Sequence, residues 1–543
     1  MEHKNFKPGR RSFLKRSLLA TAGIGFGIPS LSSCSKSMKV NSNDSALPGD
    51  KNLYWGDIHN HNSVGYARGS LERSYDIASS HLDFFCFTGH SQWHDHPDKP
   101  VEMKESHLKG FEIFRENWPK VKQMANDNYF PGNFVSFIGY EWHSSKYGDV
   151  CVIFPGSEAE LAYLDDIRKV QDLAKQYNAL LLPHHPAYVE GRRGANWDVL
   201  DTDVSPVLEI YSEHGNAESD NARYRYLRHS MGPRYTRNTL QWLLNQGTKI
   251  GVVANTDDHL GYPGAYGEGL TAVYADDLSR ESILEAIKAR RTYGVSHDRI
   301  KLDFRINNHW MGESLPAAPK RNISVGVEGK DVIDRIEILR NNQVINRYHP
   351  IDRSVTSSGW ERPVNIRVEF GWGPWGSYDM ARICDWLFDV YVENGELLEV
   401  TPCFQAGPFD EDRRNRIDNI TNKGCHVQSY TSRNEAFQEV GPTNSIVLKL
   451  NGSPQTRLNV KLKKPGEMSI TKTLSELNET SYVTATSHIA SESLLIHRPV
   501  FEDHYKASFE FTDELNTDQL TWYYARVVQK NGSLAWSSPV WFG

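Results

Sequence analysis

The sequence predicts an α/β barrel over residues 51–300, followed by a β-rich, sandwich-like domain over residues 301–543. Two patterns predict this division. In the first part, short apolar runs alternate with helix-like segments, which is typical of consecutive βα units. In the second part, apolar and polar residues alternate with period two, and turn residues separate the runs. A third observation concerns function, because five apolar runs of the first part end on histidines or carboxylates.

The length and composition of the chain favour two or more domains. It has 543 residues, 39% of them hydrophobic and 11% aromatic, which is enough to bury sizeable cores. The formal net charge is -7, so the chain has no basic excess. We therefore expect no nucleic-acid partner bound through its phosphates.

Residues 1–34 are typical of an export signal. Arg10 and Arg11 open the run RRSFLK, which matches the twin-arginine pattern, and an apolar stretch follows over residues 18–28. This stretch is shorter than the ~20 apolar residues that span a bilayer. The run LSSC resembles a lipoprotein cleavage box with Cys34 as the lipidated residue. We expect residues 35–50 to be a flexible tether and the protein to be a periplasmic or cell-envelope lipoprotein.

The apolar runs of the first part are predicted strands, and the segments between them are predicted helices. The strands are YWGDI, DFFCFT, FIGY, LLLP and GVVANT. Apolar residues at helical spacing follow a Ser70 cap at Leu71, Tyr75, Ala78 and Leu82, recur at Ile167, Val170, Ala174 and Tyr177, and return after Ser279 in a helix that should stop near Gly294.

Metal-type ligands follow each predicted strand. They are His59 and His61, then His90, Glu141, His184 and His185, and finally Asp257 and His259. The carboxyl ends of barrel strands meet at one face, where such folds build their active sites. The HxH spacing sends both imidazoles to one side, and the DxH spacing does the same for a carboxylate and an imidazole. The sequence therefore predicts a metal-dependent enzyme.

Position alone adds further candidates. Glu141 is suited to bridge two cations, because a carboxylate has two oxygens whereas an imidazole has one free nitrogen. His184 and His185 should point to opposite sides, and we favour His184 as the ligand. His143 lies two residues past Glu141. His214, after VLEIYSE, is a candidate that is equally well explained as a loop residue.

Taken together, WGDIHNH, FTGH, GYEWH, PHHP and NTDDH resemble successive motifs of the polymerase and histidinol phosphatase (PHP) superfamily. They more closely resemble an exported PHP-like branch classed as a domain of unknown function. The resemblance covers roughly residues 53–300, and the closing WYYARVVQKNGSLAWSSPVWF is similar to the end of that branch. It implies a distorted (β/α)7 TIM-like barrel that holds up to three Zn, Mn or Fe ions, usually for phosphoester hydrolysis.

The resemblance also implies a ligand set. His59, His61 and Asp257 would hold a first ion, Glu141 would bridge, His143 or His184 would complete a second site, and His90 and His259 would belong to a third. Two departures affect the third site. The superfamily commonly has TDH where this chain has Gly89 before His90, and an acidic residue where this chain has residues 64–67. His94, Asp95 and His96 could compensate, or could form a solvated loop. We expect two ions, or three if these residues compensate.

The expected chemistry is hydrolysis by a hydroxide that divalent cations hold at neutral pH. His259 or His90, if not a ligand, would protonate the leaving oxygen. The cations chosen to clamp an anionic group are Arg192, Arg193, Lys146 and Arg68, each of which is also explained as a surface charge. The glycine-rich loop at residues 261–269 precedes a strand rather than a helix, so it is not a phosphate loop. Its Tyr262 and Tyr266 are predicted to contact substrate.

The second part is predicted to form antiparallel hairpins in a β-sandwich, because Asn-Asn and Asn-Gly turns join its runs. Trp372, Trp375 and Trp386 are candidates for contact with a sugar, although tryptophan side chains are more commonly buried in a core. Among the six cysteines, Cys86 and Cys151 are expected to be buried. Cys384, Cys403 and Cys425 permit one disulfide of undetermined pairing.

The leading hypothesis is a hydrolase of phosphoesters or of a related small anionic or sugar-derived substrate. The first alternative is an amidohydrolase-like enzyme for C–N or lactone bonds, since that class also opens with HxH in a barrel. It typically bridges its ions with a carboxylated lysine, where this chain has Glu141. The second alternative is a non-catalytic, carbohydrate-binding scaffold. The joint presence of His59, His61, Glu141, Asp257 and His259 argues against it.

Overall fold

The computed structural model describes residues 51–97, 100–226, 233–350, 357–372, 383–407, 410–432, 443–488 and 491–543. The predicted export signal with Arg10, Arg11 and Cys34, the tether at residues 35–50, and Trp375 lie outside the described residues. None of the described helices is long and apolar enough to cross a membrane.

Two of the described helices begin where the sequence places a cap, after Ser70 and after Ser279. The described helices are α1 (Leu71–His81), α2 (Val101–Asp127), α3 (Ile167–Tyr177), α4 (Leu240–Asn245), α5 (Arg280–Lys288), α6 (Leu474–Glu479) and α7 (Glu502–Tyr505), with 3-10 turns at Thr236–Asn238 and Ser357–Glu361. The hydroxyl of Ser70 accepts from the Arg73 N–H at 3.1 Å, and that of Ser279 accepts from the Ser282 N–H at 3.2 Å. α5 ends at Lys288, short of the predicted stop near Gly294.

The strands before residue 300 include all five apolar runs. They are β1 (Asn52–Asp57), β2 (Phe84–Phe87), β3 (His90–Trp93), β4 (Val135–His143), β5 (Val150–Phe154), β6 (Leu180–Pro183), β7 (Val207–Ser212), β8 (Gly215–Asn216), β9 (Gly251–Ala254), β10 (Leu270–Ala275) and β11 (Thr292–Val295).

A large sheet has the order β11-β10-β1-β2-β4-β5-β6 in this part of the chain. β1, β2 and β4 are parallel, with Gly56 opposite Phe84 and Phe84 opposite Val135. β5 is antiparallel to both of its neighbours, so β6 runs in the direction of β4. The carboxyl ends of β1, β2, β4 and β6 therefore lie at one edge, where the predicted ligands follow them.

β7 and β9 form a separate parallel pair between β6 and β11, with β8 beside β7. Within the described residues, no backbone ladder joins this pair to the large sheet. Side chains make the connection instead, since the hydroxyl of Thr292 donates to the Val252 carbonyl at 2.8 Å and that of Thr271 to the Ala254 carbonyl at 2.7 Å. The fold is thus mixed α/β and β-rich. The closed (β/α)7 barrel is not shown, because two seams lack ladders and β5 and β10 run against their neighbours.

The remaining strands lie in the second part and include its period-two runs. They are β12 (Lys301–Ile306), β13 (His309–Trp310), β14 (Ser314–Leu315), β15 (Lys320–Glu328), β16 (Ile333–Arg340), β17 (Gln343–Tyr348), β18 (Val364–Gly371), β19 (Ile383–Glu393), β20 (Glu396–Cys403), β21 (Arg416–Thr421), β22 (Gly424–Ser432), β23 (Thr443–Asn451), β24 (Arg457–Lys464), β25 (Met468–Thr473), β26 (Tyr482–Ala485), β27 (Ser493–Ile496), β28 (Val500–Phe501), β29 (Lys506–Glu514), β30 (Thr521–Gln529), β31 (Leu534–Ser537) and β32 (Val540–Phe542). Asn341 and Asn342, between β16 and β17, have φ of 48° and 64°, as a type I′ hairpin turn requires.

The large sheet continues across residue 300. β31 pairs with β11, with Trp536 opposite Gly294, and β30 carries the ladder on to β16 and β32. A four-stranded sheet, β13-β12-β15-β29, packs on this extension, and Phe304, Val325 and Ile338 share its core. The end of the chain therefore completes a layer that begins in the first part.

A two-sheet sandwich is inserted between β17 and β29, and we call it the inserted sandwich. Its sheets are β20-β23-β18-β27-β26, with β28 beside β18, and β21-β22-β19-β24-β25. Val368 and Phe388 lie in the core between them. Trp386 is buried and donates to Thr431 at 2.8 Å, whereas Trp372 is 42% exposed.

Polar contacts hold the inserted sandwich against the first part. The buried carboxylate of Asp298 accepts from the Arg367 guanidinium of β18 at 2.8 and 2.9 Å. On α1, Asp76 accepts from Arg414 at 2.9 Å and also pairs with Arg416. The cysteines of the described residues are all buried and free, so Cys384, Cys403 and Cys425 form no disulfide with one another.

Candidate metal centre

The first and last predicted motifs meet at the carboxyl edge of the sheet. The N–H of His61 donates to the Asp258 carbonyl at 3.0 Å, and the N–H of Asp257 donates to the His59 carbonyl at 2.9 Å. These backbone hydrogen bonds join two segments that lie far apart in the chain. The HxH and DDH segments therefore form one unit with their side chains on a common side.

Two imidazoles and a carboxylate converge in this unit. Nε2 of His59 lies 3.2 Å from Nε2 of His61, and Oδ1 of Asp257 lies 2.9 Å from Nε2 of His61 and 3.3 Å from Nε2 of His59. All three side chains are buried. Such close approach of two imidazole nitrogens is what a shared cation or proton produces.

Glu141, buried on β4, lies among four histidines. Its Oε1 is 2.8 Å from Nε2 of His184 and 3.2 Å from Nδ1 of His143. Its Oε2 is 3.5 Å from Nε2 of both His61 and His90. Each carboxylate oxygen therefore faces a different pair of histidines, which suits a bridging ligand.

Buried donor atoms of this cluster lack hydrogen bonds. They include Nδ1 of His90, Oε2 of Glu141, Nε2 of His143, Nδ1 of His184 and Oε1 of Glu209. A buried polar atom left unpaired costs about 1–3 kcal/mol, so native structures satisfy nearly all of them. Lone pairs of imidazole and carboxylate are the ligands that Zn, Mn and Fe accept, so this donor set fits such ions.

The donors form overlapping groups whose ligand atoms lie within 4.8 Å of one another. These groups include His59, His61 and Glu141; His61, His90 and His259; Glu141, Asp149, His184 and His185; and His59, His184, Glu209 and Asp257. The groups share residues such as Glu141, and a centre that binds more than one ion requires shared ligands of this kind.

Carboxylates that the sequence analysis did not single out orient the histidines. Nδ1 of His59 is 3.0 Å from Glu209, Nδ1 of His143 is 2.9 Å from Asp149, and Nδ1 of His259 is 3.3 Å from Glu213. A carboxylate on one ring nitrogen fixes the tautomer and direction of an imidazole ligand. The sequence signal that could have identified these carboxylates is a charged residue next to or within an apolar run, as in VLEIYS and GDVCVIF.

His214 belongs to the centre and is not a solvated loop residue. Its Nε2 is 2.7 Å from Oδ2 of Asp257, and its Nδ1 is 2.9 Å from the Tyr188 hydroxyl. The adjacent His184 and His185 face different carboxylates, since His185 lies 3.5 Å from Asp149 whereas His184 contacts Glu141.

Arg193 is the predicted cation that the structure buries at the centre. Its guanidinium pairs with Asp149, lies 3.8 Å from Oε1 of Glu141 and stacks over the Trp93 ring at 4.9 Å. His185, Arg193 and Asp257 have φ of 31°, 68° and 54°. Positive φ in residues other than glycine costs about 1–3 kcal/mol where it is strained, and it clusters at functional sites.

The other predicted substrate contacts are either exposed or engaged at the contact with the inserted sandwich. Arg68, Lys146 and Arg192 are exposed. The hydroxyl of Tyr266 donates to Asp298 at 3.0 Å, at the contact with the inserted sandwich. Tyr262 is buried and accepts from Asn415 of that sandwich at 2.8 Å. The glycine-rich loop therefore braces the inserted sandwich through both tyrosines.

Burial and charge set opposite pKa shifts within the cluster. Burial and the charge of Asp149 raise the pKa of Glu141 well above its ordinary value. Burial would raise the pKa of Asp257 too, but the charges of His59 and His214 lower it well below its ordinary value. Burial would lower the pKa of His259, but Glu213 and Asp257 raise it to about 9.

The two departures from the pattern of the superfamily that the motifs resemble have a structural basis. A Cβ at Gly89 would lie 2.5 Å from the Phe114 ring, so α2 occupies the space of an acidic side chain. The Tyr66 ring stacks on His90 with the centroids 3.6 Å apart.

Asp95 accepts from the N–H groups of residues 145 and 146 at 2.9 Å each, which makes it a loop-capping residue. His96 contacts His107 at 3.0 Å.

Comparison with known proteins gives a family match over part of the chain. The model of a protein family of unknown function, DUF3604, matches residues 78–162, which include His90, Glu141, His143 and Asp149. An uncharacterized protein of Chlamydia trachomatis is 30% identical over 195 residues, covering 33% of this chain and 31% of that protein. An uncharacterized protein of Chlamydia muridarum is 26% identical over 325 residues, covering 55% of this chain and 49% of that protein. The chain thus matches about a third to a half of the length of these relatives.

Among solved structures, a crystal structure from Bacteroides vulgatus is similar. It is described as a two-domain protein containing a predicted PHP-like metal-dependent phosphoesterase. The sequences are 11% identical, the TM-score is 0.30, and the alignment covers 79% of this chain and 98% of that one.

Proposed function

We propose that this protein is a metal-dependent hydrolase of phosphoesters, or of a related small anionic or sugar-derived substrate. The observation that carries the proposal is the position of Glu141, each of whose oxygens faces two buried histidines. Buried nitrogens without hydrogen bonds around it support the same reading. The motifs that resemble the PHP superfamily supply the reaction class.

The ligands proposed for two ions follow from the distances. His59, His61 and Asp257 would hold one ion, His184 would hold a second, and Glu141 would bridge them. His143 is an additional ligand for the second, and His90 and His259 would hold any third ion together with His61. When bound, such cations supply Lewis acidity and lower the pKa of a water toward neutrality.

The side chains of this protein have separate roles in the proposed reaction. Arg193 is held by Asp149 and presents its guanidinium beside Glu141, where it would bind an anionic substrate group. His259 is 31% exposed, the most accessible histidine of the ligand set, and Glu213 keeps its Nδ1 protonated. Where no third ion occupies His259, it would give a proton to the leaving oxygen.

An amidohydrolase-like centre typically has a carboxylated lysine as its bridging ligand. Among the described residues, the buried lysine is Lys330, which pairs with Glu399 at 2.7 Å in the second part of the chain. The bridging position is filled by Glu141. These contacts favour the phosphoesterase-like proposal.

The fold and location that accompany this proposal are further proposals. We propose that the β7 and β9 pair completes a distorted (β/α)7 arrangement with β6 and β11, to which it lies adjacent. We also propose export by the twin-arginine route and a lipid tether at Cys34 in the periplasm or cell envelope. The support for export is the RRSFLK and LSSC runs of the sequence.

The test of the proposed function is hydrolysis by the purified protein supplied with Zn, Mn or Fe. The substrate panel contains phosphomonoesters, phosphodiesters, sugar phosphates, lactones and amides. We expect phosphate release that a chelator abolishes and that a His59→Ala, Asp257→Ala double variant lacks. Metal-dependent cleavage of lactones or amides alone would favour the amidohydrolase-like alternative. Cleavage of nothing on the panel by the metal-loaded protein would contradict catalysis.

A further inference from the structure

Cys151 lies at the inner side of the metal centre. On β5 it stands directly opposite Glu141 in the antiparallel ladder with β4. Directly opposed residues project from the same face of a sheet, so the thiol and the carboxylate enter the same space. Cys151 is fully buried and forms no disulfide.

Two histidines of the centre share this space with Cys151. Its Sγ and one ring nitrogen each from His59 and His184 lie within 4.8 Å of one another. His184 is 1% exposed, and its Nδ1 makes no hydrogen bond. If Cys151 were only a small residue that fills space in the core, this buried nitrogen of His184 would have no hydrogen-bond partner.

We propose that Cys151 is a metal ligand at the inner side of the centre, where its Sγ lies beside one ring nitrogen each of His59 and His184, and that the ion it binds is thiophilic. The inference rests on the proposed function, because it assumes that the centre binds metal. Combined cysteine and histidine ligands are typical of Zn²⁺, whereas Mg²⁺ and Ca²⁺ select oxygen ligands. The thiol therefore biases the inner site toward Zn²⁺ among the divalent ions.

Cys86 provides a matched control. It is also fully buried in an apolar strand of the first part, but its Sγ contacts the Phe87 carbonyl at 3.7 Å and lies beside Gly139. Cys86→Ser and Cys151→Ser make the same chemical change at neighbouring depths in the fold. Only the second removes a sulfur from the donor group.

The direct test is X-ray absorption at the zinc edge of the full-length, zinc-loaded protein. We expect a zinc–sulfur shell at about 2.3 Å in addition to nitrogen and oxygen at about 2.0–2.1 Å. Cys151→Ser should lose the sulfur shell, and Cys86→Ser should retain it. Replacement of zinc by cobalt gives a second readout, because a thiolate ligand adds a sulfur-to-cobalt charge-transfer absorption in the near ultraviolet.

The outcomes separate this inference from the proposed function. Bound zinc with only nitrogen and oxygen ligands overturns the role of Cys151 and leaves the metal centre intact. A sulfur shell that persists in Cys151→Ser also overturns it. No bound zinc or cobalt at all overturns the metal centre itself. If Cys151→Ser does not fold, the other two spectra still test the proposal. The spectrum of the unaltered protein shows whether sulfur is a ligand, and that of Cys86→Ser shows whether this sulfur belongs to Cys86.

Discussion

Nδ1 of His59 lies 3.0 Å from Oε2 of Glu209, and both side chains are buried. The same carboxylate oxygen accepts from the Asn255 amide at 3.0 Å, which holds it in place. Because Nδ1 of His59 is occupied in this way, its Nε2 is directed toward His61 and Asp257. Glu209 therefore sets the tautomer and direction of a proposed metal ligand.

Glu209→Gln should weaken metal binding, although it leaves the proposed ligand His59 in place. Loss of a carboxylate behind a ligating histidine typically lowers metal affinity about 10- to 100-fold. Chelator competition with zinc measures this. Glu218→Gln is the matched control, since Glu218 is also buried but pairs with Arg526 in the second part of the chain. It should lower stability and leave zinc affinity unchanged. Equal affinity in the two variants would contradict the role of Glu209.

Arg193→Lys should impair the proposed phosphoester hydrolysis, because a lysine keeps the charge but loses the two-pronged guanidinium. A hydrogen bond to a charged group contributes about 1.5–3 kcal/mol, so kcat/KM should fall about 10- to 100-fold. Arg192→Lys changes an exposed neighbour in the same way and should have less than about a twofold effect, as surface substitutions change little. Similar kinetics for both variants would remove Arg193 from substrate binding.

The Asp298–Arg367 pair should make stability depend on pH in the acid range. Burial would raise the pKa of Asp298, but the charge and hydrogen bonds of Arg367, with those of Asn531 and Gln529, lower it to about 2. The unfolded aspartate has a pKa of about 3.9. At pH values above this, the lowered pKa in the native state stabilises the fold by about 2–3 kcal/mol. That stabilisation is lost as the pH falls from about 4 to 2.

Urea unfolding of Asp298→Asn and of the unaltered protein measures this effect. The midpoint of the variant should be lower at pH 7, and the difference between the two proteins should narrow below about pH 4. Asp389→Asn removes a partly exposed ion pair with His426 and should change the midpoint by much less. A difference that stays constant down to pH 2.5 would show that the charge of Asp298 is not what stabilises the contact.

Gly89→Asp should destabilise the protein and not restore a family-like ligand. The new Cβ would meet the rings of Phe114 and Phe87, and the carboxylate would be buried beside them. Overpacking alone costs about 1–3 kcal/mol, and an unpaired buried carboxyl adds to this. Thermal unfolding should show a lower midpoint, partly recovered by adding Phe114→Ala. Gly156→Asp, at an open surface position, serves as the control. A stable Gly89→Asp variant with an added metal ion would contradict this account.

The strand ends and the candidate ligands that follow them could be identified from the sequence because both are local features. Apolar runs define the strands, and the carboxyl ends of parallel strands share an edge whatever the details of pairing. The partners Glu209 and Asp149 could not be assigned in the same way. A single carboxylate in or beside a strand is equally typical of an ion pair, and only the register decides which histidine it meets.

The closure of the sheet could not be predicted for a related reason. β5 is antiparallel between β4 and β6, and nothing in the run VCVIF gives its direction. The pairing of β31 with β11 joins a segment near the last described residues to one in the middle of the chain, so no local pattern predicts it. Local periodicity predicts the strands, whereas the long-range pairing that orders them comes from the packing of the whole chain.

The metal content of the purified protein tests the central claim most directly. After loading with Zn, Mn or Fe and removal of free ions, mass spectrometry of the bound metal should give two or more ions per chain. The His59→Ala, Asp257→Ala variant should lose at least one of them, because these two residues are proposed ligands of the first ion. The His426→Ala, Asp389→Ala variant removes the same residue types from an ion pair on the inserted sandwich, and it should keep them. A folded, unaltered protein without stoichiometric metal after all three loadings would contradict the account.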